Sequence, residues 1–276
     1  MEINNPYLFV EINDTHLTFI AISSDANENF RVIQKVTSNY EGIKNNKFVN
    51  LDQTNQIIKK DIEIIEDKLD YVFKEVIIVL DNFKYLCTNI SGFKKLNGSQ
   101  VLKENISYIL NSLKLNVTEN EKEKTVLHIF NSESVLDGTK VENLPIGLFG
   151  NFYNHVLTFF MVENNDLKNI KQIFNKNNVK IKKFFIKDFI EGAQLINQNH
   201  DINTFFKIKI KKTNSNLSFF DKSALRYIEY FDFGSNIILK DIEKVCAVSN
   251  EFVKKVLQDQ LLKNGNFEEN QLIDKK

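Results

Sequence analysis

The chain has 276 residues, 42% hydrophobic and 26% charged, which is enough to bury one large core or two modest ones. Its 36 basic and 36 acidic side chains balance, which predicts no overall field that would recruit nucleic acid or an anionic membrane. Two distant cysteines, the lack of a signal-peptide pattern and the lack of a long apolar run predict a soluble cytoplasmic protein without disulfides.

The first eighty residues predict a sheet and one covering helix. A helix with Asp52 as candidate N-cap has an apolar stripe at helical spacing from Ile58 to Leu69. Glu75–Leu80 is a continuous apolar run, typical of a strand buried on both faces of a parallel sheet. Before the helix we predict the strands Tyr7–Ile12, Leu17–Ser23 and Asn29–Thr37, with polar turns at Asn13-Asp14 and Asp25–Glu28.

The next segment, Phe83–Val162, has a different pattern. It predicts a strand at Tyr85–Ile90, a helix from Ser99 and a strand at Val126–Phe130. A further strand is predicted from His155 to the end of the segment. Strands around a single helix predict a small α+β unit, inserted between two parts of a larger sheet.

The stretch from Asn143 to Leu195 predicts a tight turn followed by strand, helix, strand and helix. Pro145 and Gly147 favour the turn, because proline fixes φ and glycine permits positive φ. Asp166 is the candidate N-cap of the first helix, and Val179–Ile186 is the returning strand.

After Asn197 the opening order of three strands and a helix recurs, which predicts an internal repeat. The second copy is incomplete, so we expect the chain to stop inside a domain, as a fragment or a truncated product. The repeated elements are the strands Asn203–Ile210, Asn216–Phe220 and Ala224–Phe233 and a helix from Ser235, followed by the segment Ser249–Lys263 and the polar tail Asn264–Lys276.

Three segments resemble motifs of the bacterial cell-division actin homologue FtsA. Tyr40–Val49 is similar to R-G-[IM]-x-x-G-x-[IV], Leu144–Gly150 to P-[IV]-G-[LM]-x-G, and Gly234–Ile242 to G-G-N-x-[IV]-T-x-D-I. The resemblance implies an α/β, actin-like (ribonuclease H-like) fold with an inserted SHS2-type subdomain and an incomplete second half. The implied boundaries are residues 1–82 for the first part of the first half, 83–165 for the insertion, 166–199 for the return and 200–276 for the second half.

The resemblance also implies partners and a place in the cell. FtsA links filaments of the tubulin homologue FtsZ to the inner membrane and polymerises through its inserted subdomain. By resemblance we expect a cell-division adaptor that binds FtsZ and itself at the cytoplasmic face of the inner membrane. The membrane-binding helix of the family lies at a C-terminus that this chain lacks, and no nucleic acid is expected as a partner.

Nucleotide binding in this fold needs two hairpins, [DE]-x-G-[TS] and D-x-G-G-G-T, whose glycines let backbone amides surround phosphate while the acid holds magnesium. The first hairpin retains an acid but has lost its glycine, although Asn13 is able to adopt positive φ. The second has Lys209 in place of the acid and no glycine. We therefore expect weak or no binding of Mg-ATP and no enzymatic activity. The degenerate cleft would comprise Glu11, Asn13, Asp14, Thr213, Gly234 and Asn236.

Other polar residues predict no catalytic or metal site. The histidines are isolated from cysteine and carboxylate partners at ligand spacing, and Cys87 is interpreted as a small core residue. The acidic run Asp61–Asp70 and the lysines from Lys207 to Lys212 are interpreted as solvated faces.

Three alternatives remain open. A pilus-assembly actin homologue has a related insertion, but would be expected to keep intact phosphate loops and to bind a short peptide from a membrane partner. An actin-fold kinase needs both hairpins and an aspartate where Lys209 stands. The third alternative is an inactive gene product.

Overall fold

The computed structural model describes residues 6–24, 29–44, 47–81, 83–199 and 201–262; the predicted turn at Asp25–Glu28 and the polar tail Asn264–Lys276 lie outside these ranges. The chain divides into two compact units. The first contains Met1–Phe206 and Ser218–Ile228, and the second contains Lys207–Leu217 and Glu229–Lys276.

The elements follow one another in an order close to the predicted one. They are β1 (Tyr7–Ile12), β2 (His16–Ser24), β3 (Phe30–Asn39), β4 (Ile43–Lys44), β5 (Lys47–Phe48), α1 (Leu51–Leu69), β6 (Glu75–Leu80), β7 (Leu86–Lys95), α2 (Lys103–Asn120), β8 (Lys124–Leu136), β9 (Thr139–Val141), β10 (Phe152–Glu163), α3 (Asn164–Lys176), β11 (Lys180–Ile186), α4 (Lys187–Gln198), β12 (Phe205–Ile210), β13 (Ser215–Asp221), β14 (Ala224–Phe231), α5 (Ser235–Cys246) and α6 (Asn250–Leu262). Every helix in the described ranges is too short or too polar to span a bilayer.

The main sheet of the first unit has five strands in the order β11-β6-β1-β2-β3. β6 pairs in parallel with β1 on one side and with β11 on the other, which confirms the prediction for the apolar run Glu75–Leu80. β2 pairs antiparallel with both β1 and β3. Because the carboxyl ends of β1, β6 and β11 lie at the same edge, residues that follow these strands come close together.

Three predicted helix starts are wrong by a few residues. Asn50, not Asp52, caps α1, and its Oδ1 accepts a hydrogen bond from the Gln53 amide at 3.0 Å. Asp166 lies in the first turn of α3, which begins at Asn164. α2 begins at Lys103 rather than Ser99, because the segment before it is extended and pairs with the turn that contains Pro145.

The acidic run on α1 is not a uniformly solvated face. Asp61 is 1% exposed, and one of its carboxylate oxygens accepts a hydrogen bond from Ser38 Oγ at 2.9 Å while the other has no partner. Burial raises the pKa of Asp61, against the lowering effects of Ser38 and Lys60. The prediction for this residue is therefore wrong, whereas Asp67 and Asp70 are exposed as predicted.

The inserted unit, which is part of the first compact unit, is a four-stranded antiparallel sheet in the order β7-β10-β8-β9, with α2 packed on one face. Gly92 permits the close packing, because a Cβ there would lie 2.8 Å from Ile109 Cγ2. The core between sheet and helix consists of Leu96, Val101, Ile109, Leu113, Val117, Tyr153, Leu157, Phe159 and Met161.

An aromatic cluster joins the inserted sheet to the main sheet. Its members are His128, Phe130 and Phe160 from the insertion and Phe185 and Phe189 from β11 and α4, with ring centroids 4.9 to 5.8 Å apart. The Ile186 amide donates a hydrogen bond to His128 Nε2 at 3.3 Å. Burial, together with the charge of Lys183, lowers the pKa of His128 to about 4, so the ring is neutral at pH 7.

The last part of the chain forms a three-stranded sheet in the order β12-β13-β14, followed by two helices. The predicted order of three strands and a helix is confirmed, and α5 begins at the predicted Ser235. Within the first unit, Phe205 stacks on Phe220 at 4.8 Å between ring centroids.

Candidate functional site

The turn between β1 and β2 contains the first group of predicted site residues. Asn13 Nδ2 donates to Asp81 Oδ2 at 2.6 Å, its Oδ1 accepts from the Thr15 amide at 3.1 Å, and its carbonyl oxygen accepts from the Tyr40 hydroxyl at 2.8 Å. Asn13 does not adopt the positive φ that the sequence allowed. The side chain and the carbonyl oxygen of Asn13 thus form hydrogen bonds that stabilise the turn.

A lysine supplies the charge that balances this site. Lys187, the first residue of α4, pairs through Nζ with Glu11 Oε1, and its Nζ lies 3.6 Å from Asp81 Oδ2. The Asp81 side chain is 5% exposed and that of Glu11 18%. Burial lowers the pKa of Lys187, but the hydrogen bond to Glu11 and the charges of Asp81 and Glu11 outweigh it, so the pKa lies above its usual value.

The surroundings of this Lys187 cluster (Glu11, Asn13, Asp81 and Lys187) do not fit a magnesium-bound phosphate. The lysine ammonium contacts both carboxylates, so these two candidate metal ligands already share a cationic partner from the chain. Within the described ranges, no group of three or more histidine, cysteine, aspartate or glutamate side chains is arranged to hold a metal ion.

A groove of about 740 Å³ borders the same turn on its other side. Among the described residues, its charged lining side chains are those of Asp14 and Glu41. Burial, and secondarily the charge of Asp14, raises the pKa of Tyr40 in its wall. The lining residues are Asp14, Thr15, Asn39, Tyr40, Glu41, Ile43 and Gln53.

The second group of predicted residues lies in the second unit, where the β12–β13 turn meets the start of α5. The amides of Ser235 and Asn236 donate to the carbonyl oxygens of Lys211 and Lys212 at 2.9 and 3.0 Å. A Cβ at Gly234 would overlap the backbone of the same two lysines, so the glycine permits this close approach. These N-terminal donors of α5 are therefore used by the chain and are not directed at a ligand.

The six predicted residues thus form two groups, one in each unit. Glu11, Asn13 and Asp14 lie in the first turn. Thr213, Gly234 and Asn236 lie around the second turn, with Thr213 exposed. Sequence reasoning missed Asp81 and Lys187. The strand pattern contained a signal for both residues. Asp81 directly follows β6, which is parallel to β1, and Lys187 directly follows β11, which is parallel to β6.

Two other polar groups that the sequence singled out have structural contacts. His155 is 1% exposed, and its Nε2 lies 3.1 Å from Asn131 Oδ1. Cys87 is half-buried and donates to the Arg226 carbonyl oxygen at 3.1 Å. Burial raises the pKa of this thiol to about 11, which keeps it protonated and unreactive at neutral pH.

The end of the inserted unit exposes a group of large apolar side chains, which we call the tip surface. The turn with Pro145 is held beside the segment before α2, because the Gly147 amide donates to the Val101 carbonyl at 2.8 Å and the Val101 amide to the Leu148 carbonyl at 2.9 Å. Phe149 is 70% exposed and Phe152 is 52% exposed. The tip surface comprises Phe93, Leu102, Leu144, Ile146, Leu148, Phe149 and Phe152.

No protein-family model matches the sequence, and no curated protein matches it. Among solved structures, the PilM-PilN type IV pilus biogenesis complex is similar over 91% of this chain and 68% of that chain, with 10% identity and a TM-score of 0.60. A Bacteroides thetaiotaomicron protein described as having an actin-like ATPase fold is similar over 88% and 77% of the two chains, with 11% identity and a TM-score of 0.41.

The chain has the actin-like fold. The ethanolamine utilization protein EutJ from Carboxydothermus hydrogenoformans is a further neighbour, with 7% identity over 92% of this chain and 61% of that one and a TM-score of 0.46. In this actin-like chain the inserted α+β unit lies between β6 and α3 of the first unit.

Proposed function

We propose that this actin-like protein is a non-enzymatic assembly factor that binds another protein through the tip surface, in a membrane-associated machine of the type IV pilus kind. One observation carries the proposal: seven large apolar side chains are exposed on paired or adjoining segments at the end of the inserted unit. Groups of exposed apolar side chains are typical of protein-binding sites. The similarity to the PilM-PilN complex supports a partner of the PilN type.

The Lys187 cluster supports the non-enzymatic part of the proposal. An ammonium already contacts both carboxylates, and two acidic residues, Asp14 and Glu41, line the neighbouring groove. Both features oppose a bound nucleotide. We expect titration with Mg-ATP to leave the unfolding temperature unchanged; a ligand that binds tightly would stabilise the fold by about 3 kcal/mol at a hundredfold excess over its Kd. Such a stabilisation would contradict this part of the proposal.

A cell-division adaptor at the inner membrane is the second candidate. The segments Tyr40–Val49, Leu144–Gly150 and Gly234–Ile242 favour it, because they resemble motifs of FtsA. In that case the partner is FtsZ and a second copy of the chain. We rank it below the pilus-type candidate because the similarity to the PilM-PilN complex extends over 91% of the chain.

Binding measurements with both partners separate the two candidates. The purified chain is titrated with the PilN-type protein and with FtsZ from its own organism, and the variant Phe149→Ser/Phe152→Ser is tested in parallel. The matched control is Phe30→Ser, which alters an equally exposed phenylalanine (71%) on β3. We expect binding to the PilN-type protein that only the tip variant loses. Binding to FtsZ alone would favour the division adaptor, and binding that survives in the tip variant would exclude the tip surface.

A further inference from the structure

Although the net charge of the whole chain is zero, the segment from Leu167 to Lys187 is strongly basic. From Leu167 to Lys187 there are seven lysines and no aspartate or glutamate. Three of these lysines lie exposed on α3 and line a shallow depression of about 530 Å³, and Lys180 is exposed at the start of β11. We call Lys168, Lys171, Lys176 and Lys180 the basic face.

The charge of the basic face is only weakly compensated. Lys176 Nζ lies 3.8 Å from Asp52 Oδ1, but both side chains are largely exposed, and such pairs contribute little. Among the described residues, the lysines of this segment that form ion pairs are Lys176, Lys182 and Lys187, and Lys168, Lys171 and Lys180 form none. Three positive charges thus face solvent from neighbouring elements.

The character of the face favours a lipid surface over a protein. The apolar side chains of α3, including Leu167, Ile170 and Phe174, are buried, and none of the large apolar side chains between Phe152 and Ile190 is exposed. Protein interfaces depend on aromatic and aliphatic anchors and are poor in lysine. An anionic leaflet attracts lysines by charge alone.

We infer that the basic face is a docking surface for an anionic lipid leaflet. The inference does not depend on which protein binds the tip surface. Each lysine near an anionic surface raises the partition coefficient by roughly fivefold. Because no apolar side chain enters the bilayer, binding is reversible and weakens as salt shortens the range of the attraction.

Flotation of the full chain with vesicles tests the inference. The probes are vesicles of phosphatidylcholine alone and vesicles that also contain phosphatidylglycerol, at low and at physiological salt. The test variant is Lys168→Gln/Lys171→Gln/Lys176→Gln. The matched control is Lys103→Gln/Lys114→Gln/Lys122→Gln, which removes the same charge from exposed lysines on and after α2. Unchanged unfolding temperatures establish that both variants are folded.

We expect the wild type and the control to float with phosphatidylglycerol vesicles at low salt and not with phosphatidylcholine vesicles. The test variant should lose roughly 100-fold in partition coefficient. Equal losses in the control and the test variant would overturn the inference, as would failure of the wild type to float. Binding to polyglutamate or to duplex DNA in place of the vesicles would also overturn it, and would assign the face to an acidic protein or a nucleic acid.

Discussion

The ammonium of Lys187, at the start of α4, pairs with the carboxylate of Glu11, which lies 176 residues earlier at the end of β1. The same ammonium approaches Asp81 at the end of β6. One side chain thus connects the carboxyl edge of three neighbouring parallel strands. Because these contacts join distant parts of the chain, the stability of the first unit should depend on this residue.

Replacement of Lys187 by methionine should lower the free energy of unfolding by about 2 kcal/mol. The two carboxylates of Glu11 and Asp81 would lose the ammonium that they share, and removal of one member of a buried pair is costly. Magnesium or calcium should restore part of the loss in the variant and leave the wild type unchanged. Thermal and urea unfolding measure both effects, with Lys180→Met as the exposed control. Equal losses in the two variants would contradict the role of the pair.

The contribution of Lys187 should also disappear at high pH. Its pKa is raised in the folded state, so the stabilisation is complete below the unfolded value of about 10.4 and is lost as pH rises through the folded value. The difference in free energy of unfolding between wild type and Lys187→Met should therefore narrow above about pH 10.5. A constant difference across that range would show that packing of the side chain, and not its charge, is responsible.

Replacement of Asp61 by asparagine should stabilise the protein at neutral pH by on the order of 1 kcal/mol. Burial raises the pKa of Asp61, so the ionised form is unfavourable in the fold, whereas an amide can keep the contact with Ser38. The gain should vanish as pH falls through the raised folded pKa towards the unfolded value of about 3.9. Asp67→Asn, on the exposed side of α1, should have little effect. If the Asp61→Asn protein were less stable than the wild type, the ionised Asp61 carboxylate would not be unfavourable in the fold.

His128 should make the fold less stable in mild acid. Its pKa is about 4 in the fold because of burial and the charge of Lys183, against about 6.5 in the unfolded chain. Between these values the unfolded chain binds a proton that the folded chain does not, so the free energy of unfolding falls by on the order of 2 kcal/mol as pH drops from 6.5 to 4. Urea unfolding across this range should show a smaller decrease for His128→Gln. An identical decrease would exclude His128 as the cause.

Replacement of Gly192 by alanine should destabilise the first unit by about 1 to 3 kcal/mol. Alanine normally favours a helix over glycine, but a Cβ at this point of α4 would overlap the ring of Phe220. The double variant Gly192→Ala/Phe220→Leu should recover part of the loss, because the smaller side chain leaves room for the methyl group. Additive effects in this double-mutant cycle would contradict the contact.

The sequence predicted the elements whose pattern is local. β1 and β6 were placed at their observed bounds, because turns and a continuous apolar run define them. β8 extends well beyond the predicted Val126–Phe130, since its second half is polar and is recognised only by its pairing with β10. The start of α2 was misplaced for a similar reason, because a partner distant in sequence keeps Ser99 and Val101 extended.

The candidate site was harder to predict than the fold. The resemblance pointed to the first turn, and Glu11 and Asn13 do participate in a polar cluster there. Their partners Asp81 and Lys187 belong to no motif, and only the parallel order of β1, β6 and β11 brings them together. The resemblance implied a contact surface on the inserted subdomain, but the residues of the tip surface were not predicted, because exposed apolar residues resemble core residues until the surrounding structure is known.

The continuity of β10 with α3 has a mechanical consequence. β10 runs from Phe152 to Glu163, a length of roughly 40 Å, and α3 begins at the next residue. No loop therefore separates the strand from the helix. β10 is hydrogen-bonded to β7 on one side and β8 on the other. A pull along β10 therefore loads both rows of hydrogen bonds in shear, all at once. Tension applied by a partner at the tip would reach the lysine-bearing helix without first unravelling the strand.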